Sequence, residues 1–160
     1  MTGINTGKVL VGGLVAGIVA NIIDAASNFL ILANDMKAMM ARLNLDPAVM
    51  ESTAGIAAWV LVDLLFGILV VFTYAAMRPR FGPGPKTAIV AGFTLFCAVT
   101  FVMYGLSSMG LMTSDLFLKS SACSLVSVLV SSVAGAAVYK EASADQAAST
   151  RGRSEMASRA

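Results

Sequence analysis

Four long apolar runs, broken only by short polar connectors, constrain this chain more than any motif in it. The hydrocarbon layer of a bilayer is about 30 Å thick and a helix rises about 1.5 Å per residue, so a span needs about 20 apolar residues. Segments 8–33, 54–77, 87–106 and 115–139 meet that length. Unpaired backbone groups find no water in lipid, so each is expected to be helical. At 58% apolar and 12% charged, with a mean hydropathy of +0.82, the 160 residues leave no stretch for a separate soluble domain. The expected architecture is all-α: an integral membrane four-helix bundle over 1–140, followed by a disordered tail over 141–160.

The connectors support these stops. Arg78-Pro79-Arg80-Phe81-Gly82-Pro83-Gly84-Pro85-Lys86 carries three prolines and two glycines, so helix two is expected to end at its start and helix three to restart near Pro85. The connector 34–53 holds Asp46-Pro47, an N-cap followed by proline at a first helical position. Met36, Met39, Met40 and Leu43 repeat as on an amphipathic helix that lies on the membrane or caps the bundle. No histidine or exposed cysteine completes a copper site with these thioethers. Trp59, Tyr74 and Tyr104 read as interfacial belt residues.

Lysine and arginine set the expected orientation. Lys8, Arg78, Arg80, Lys86, Lys140, Arg151, Arg153 and Arg159 fall on one side, against Lys37, Arg42 and Lys119 on the other. That bias places both termini in the cytoplasm. The first run is too long for a signal-peptide core and reads as an uncleaved span.

Histidine is absent, which removes the commonest general base, the neutral imidazole metal ligand and any imidazole-based triad. Cys97 and Cys123 lie within apolar runs without a redox motif and are expected as core thiols. A net charge of +2 gives no sign of a nucleic-acid partner. No enzyme activity, cofactor or metal is expected.

Membrane helices associate through small and polar residues. Gly13, Gly17, Ala20, Asp24 and then Ser27 or Asn28 mark such a face in span one, and Ser120, Ser124, Ser127 and Ser131 form a stripe leading to Gly135 in span four. Thr87, Ala91, Thr94, Ala98 and Gly105 do so in span three, and Asp63, Gly67 and Tyr74 in span two. These faces hold a bundle together, line a polar path, or meet a partner.

The chemically unusual spot is a pair of acids. Asp24 lies nine residues inside the end at 33, and Asp63 nine residues inside the start at 54, so antiparallel spans are expected to bring them to one depth. An ionised aspartate there costs about 2.5–3.5 kcal/mol, so both are expected to face inward. Asn21, Asn28 and Lys119 are candidate partners; Lys119 can instead pair with Asp115, four residues before it.

With these spans, the Pro/Gly connector, the longer first outer connector and Leu116-Phe117-Leu118-Lys119-Ser120 leading into span four, the chain resembles uncharacterised four-span bacterial inner-membrane proteins over residues 1–140. The resemblance implies a fold and a compartment, and no reaction. The leading expectation is therefore a non-enzymatic packing partner in the lipid bilayer, in a homo-oligomer or as an accessory subunit. The alternative is a proton- or cation-linked carrier or channel that uses Asp24 and Asp63. A lipid-acting enzyme would need a lipid-accessible cleft beside Asp24.

Overall fold

The computed structural model describes residues 4–139. It is all-helical among those residues: α1 Thr6–Ser27, a π turn Asn28–Leu32, α2 Ala33–Arg42, α3 Pro47–Glu51, α4 Thr53–Phe81, α5 Pro85–Ser108 and α6 Ser114–Val138. The expected tail over 141–160, and Lys140, lie outside the described residues.

Four helices are long and apolar enough to cross a membrane, as the sequence required, but two of them overrun their expected ends. The first continues through the π turn and α2 to Arg42, 37 residues in all, or about 55 Å. The connector after 33 is thus helical for its first half, and the amphipathic stretch around Met36 is a continuation of α1 rather than a separate helix. The π turn inserts a wider loop of backbone and turns the helix face beyond it: Phe29 and Leu30 point outward, whereas Leu32 and Met40 are buried.

The second overrun is at Pro79, which lies inside α4 rather than ending it. Proline removes one backbone donor, yet two residues from the end of α4 the ladder closes around it, with Gly82 N–H donating to Arg78 O at 2.9 Å. Gly82 (φ +80°) and Gly84 (φ +127°) then reverse the chain in conformations that side chains rarely adopt. Two hydroxyls tie the turn down: Thr87 Oγ1 donates to Gly82 O at 2.7 Å, and Gly84 N–H donates to Tyr74 Oη at 3.2 Å. Tyr74 is therefore not an interfacial belt residue. It is 3% exposed and packs edge-to-face on Tyr139, over whose ring the Arg78 guanidinium sits. Trp59 and Tyr104 do point outward, at 58% and 63% exposed.

The bundle closes α1 between α4 and α6, with α5 between α6 and α4. Its main cluster of buried residues occupies the end that carries Lys8, Arg78, Arg80 and Lys86, here termed the basic end, while Leu32, Met40 and Leu116 are buried toward the other end. Val9, Ala16, Val71, Tyr74, Ala75, Ala88, Ala91, Ala136 and Tyr139 form the main cluster. Toward the far end α1 and α6 stay paired while α4 and α5 diverge: no residue of α4 before Gly67, and none of α5 after Gly92, is buried.

Candidate functional site

Glycine sets the closest approach, between α1 and α4. A methyl group built on Gly13 would lie 2.5 Å from Ile68 Cα, one on Gly17 2.6 Å from Leu64 Cα, and one on Gly67 would collide with Gly13 O and Gly17 N. Gly13 and Gly17 thus pack within the chain, and their face is not open to a second copy. On α6 the serine stripe divides. Ser127 and Ser131 are buried, Ser120 is half-buried, and Ser124 is exposed. Ser132, which the stripe omitted, is buried instead, where it fills the space that a side chain on Gly92 of α5 would need.

These contacts fix a register. The facing pairs 13/68 and 17/64, together with Asn21 Nδ2 donating to Val60 O at 3.4 Å, are residues whose numbers add to 81. Asp24 and Asp63 add to 87, so they are offset by six residues, or about 9 Å along the bundle. The expectation of a single depth is corrected: it counted from span ends that neither helix observes. Because Cα–Cβ bonds lean toward a helix's own N-terminus, the two antiparallel side chains lean toward each other across that offset. Their carboxyls remain within range of each other's charge.

Neither asparagine serves the acids directly. Asn21 Nδ2 also donates to Gly17 O at 3.0 Å, and Asn28 Nδ2 donates to the backbone oxygen of Asp24 at 2.9 Å. Lys119 is placed elsewhere too. Its Nζ lies 2.8 Å from Asp35 Oδ2 and 2.6 Å from Asp115 Oδ2, at the far end of the bundle. The sequence points to Asp115 as a partner. It does not point to Asp35, because that pair spans 84 residues and depends on the extension of α1 into α2.

The neighbour of Asp24 is Ser127 on α6. The α1/α6 contact runs from Gly12 and Ala16 against Gly135, through Asp24 against Ser127, to Asp35 against Lys119. Ser127 is 1% exposed, and its hydroxyl faces the Asp24 carboxyl. Other serines of the helix are self-satisfied: Ser120 Oγ donates to Leu116 O at 2.7 Å, Ser131 Oγ to Val128 O at 3.1 Å, and Ser132 Oγ to Leu129 O at 2.9 Å. The stripe in the sequence contains Ser127 but cannot single it out.

Cys97 and Cys123 are half-buried rather than core residues. Among the described residues no cluster of histidine, cysteine, aspartate and glutamate could hold a metal ion.

Where α4 and α5 diverge they leave an open apolar groove of about 420 Å3 lined by Phe66, Leu69, Leu95, Ala98, Val99, Val102 and Met103. The α5 stripe is correspondingly split. Thr87 and Ala91 pack within the bundle, whereas Ala98 lines the groove and Gly105 has no atom within 4 Å of where a side chain would begin.

Among the described residues the fold is an all-helical bundle with four helices long and apolar enough to cross a membrane. Comparison with family models, with curated proteins and with solved structures gives no match.

Proposed function

We propose that this chain is a non-enzymatic, four-span inner-membrane protein of a bacterium whose work is to pack against other membrane helices, in a homo-oligomer or as an accessory subunit of a larger complex. The observation that carries this reading is the groove between α4 and α5. Small residues gather at membrane helix contacts, and here Ala98 and Gly105 sit on a face that nothing within the described chain covers. The α1/α4 and α1/α6 faces, by contrast, are consumed inside the bundle.

Charge sets the orientation. Lys8, Arg78, Arg80 and Lys86 gather at the basic end, where the described residues include no aspartate or glutamate. The far end mixes Lys37, Arg42 and Lys119 with Asp35, Asp46, Glu51 and Asp115. A basic end held on the cytoplasmic side puts both termini in the cytoplasm.

Native mass spectrometry after gentle extraction tests the reading. The expected species are masses of two or more chains, or of the chain with a second membrane protein. A strict monomer, with no partner recovered from native membranes, contradicts it.

A further inference from the structure

Four cations share one end of the bundle because two tyrosines gather the helix ends there. Tyr74 and Tyr139 meet edge-to-face with their ring centroids 5.9 Å apart. Tyr139 Oη accepts from Asn5 N–H at 3.4 Å, and Asn5 Oδ1 in turn accepts from Lys8 N–H at 3.1 Å, which caps α1. The Arg78 guanidinium sits 5.6 Å from the centre of the Tyr139 ring. Tyr74 Oη accepts from Gly84 N–H at 3.2 Å, directly before α5 begins, and so ties down the turn between Arg80 and Lys86. Arg78 is half-buried in this hub, whereas Lys8, Arg80 and Lys86 are exposed around it.

No acid among the described residues offsets these charges. The first acid on α1 is Asp24, the last on α4 is Asp63, α5 has none, and α6 has none after Asp115. Like charges gathered in this way repel one another unless an anion stands among them. Next to two of the cations the surface turns apolar along the same helix. On α5, Ile89, Val90 and Phe93 follow Lys86 at three, four and seven residues, and all are exposed. On α4, the exposed residues Ala76, Phe72 and Leu69 run down from Arg80. Leu69 lies about 16 Å from Arg80 along the helix, about the depth of one leaflet of a hydrocarbon core about 30 Å thick. A free anion would use the cations alone, whereas an amphiphile with an anionic head uses both surfaces.

We propose that the exposed guanidinium of Arg80 and ammonium of Lys86 bind the phosphate of an anionic phospholipid, whose acyl chains lie along the α4 and α5 faces that descend from them. Lys8 and Arg78 add positive potential at the same end. The surface goes beyond the packing-partner reading and does not rest on it; it requires only that the helices cross a bilayer.

The test is native mass spectrometry of the full-length protein released from micelles that hold equal amounts of phosphatidylglycerol and phosphatidylcholine with the same acyl chains. Each basic residue at a membrane surface contributes about fivefold, so the wild type is expected to retain phosphatidylglycerol in preference by about thirtyfold. Arg80→Gln and Lys86→Gln should each cut that preference about fivefold, and the double variant should bring it close to unity. Both side chains are exposed, so neither change disturbs the packed hub. Lys37→Gln, at the far end, is expected to leave the preference unchanged. In a second arm inorganic phosphate is added to the wild type; displacement of the lipid at equal concentration would show that the surface takes a free anion and would overturn the proposal. Equal retention of the two lipids by the wild type, or a preference that survives intact in the double variant, would overturn it as well. Lipid adducts are counted on whichever assembly appears, so this outcome is distinct from whether the chain self-associates.

Discussion

Gly67→Ala probes the contact on which the whole bundle depends. The added methyl would meet Gly13 O, Gly17 N and Gly17 Cα, all backbone atoms that cannot swing aside. Relief requires α1 and α4 to separate by about 1 Å. A gap of 0.5–1 Å forfeits a quarter to a half of each ~0.1–0.2 kcal/mol atom contact, and the facing turns make about as many contacts as a buried leucine, so the loss is about 2–3 kcal/mol. Alanine is the better helix former by about 1 kcal/mol, which leaves a net destabilisation of about 1–2 kcal/mol. Gly105→Ala is the control. Nothing lies within 4 Å of the added methyl, so only the propensity gain remains and the change is neutral or slightly stabilising. Reversible unfolding in mixed micelles of increasing SDS fraction, monitored by circular dichroism, measures both. If Gly67→Ala proves as benign as Gly105→Ala, α1 and α4 do not approach as described, and the register drawn from that contact fails with it.

Tyr74→Phe removes the hydroxyl that accepts from Gly84 N–H; the expected cost is about 0.5–1.5 kcal/mol, seen as faster amide exchange at Gly84 with the far end unchanged. Lys119→Met frees α2 from its ion pair with Asp35, so exchange should quicken over Asp35–Arg42 while the core at the basic end stays protected; unchanged exchange there would show that the ion pair does not hold α2. Ala98→Trp fills the α4/α5 groove from within and should lower the oligomeric or partner-bound fraction in native mass spectra without lowering the stability of the isolated chain; an unaltered mass distribution would remove the groove from the interface.

Much of the architecture is legible in the sequence because the bilayer leaves few choices. Twenty apolar residues in lipid form a helix whatever their neighbours, so the four spans can be read from length alone. Their ends cannot. Pro79 reads as a helix terminator, yet near the end of α4 the bond it removes is one of the last in the helix, and Gly82 supplies the closure. The extension of α1 depends on a π turn at Asn28–Leu32, for which local composition carries no recognisable signal. Asp24 and Asp63 stand out as intramembrane acids, but their relative height depends on how Gly13, Gly17 and Gly67 interlock, which is a property of two helices together. Tyr74 and Tyr104 have the same interfacial preference in sequence, and only the packing of α4 against Tyr139 makes one a core residue. The pairing of Lys119 with Asp35, likewise, needs the third dimension.

Photo-crosslinking in native membranes tests the central claim most directly. A benzophenone amino acid at position 98 sits in the groove, and one at Val126, exposed on α6, serves as the outward-facing control. A packing partner predicts a discrete protein adduct from position 98, either twice the mass of the 16.5 kDa chain or the mass of the chain plus a second membrane protein, and none from position 126. Lipid adducts alone from both positions would contradict it.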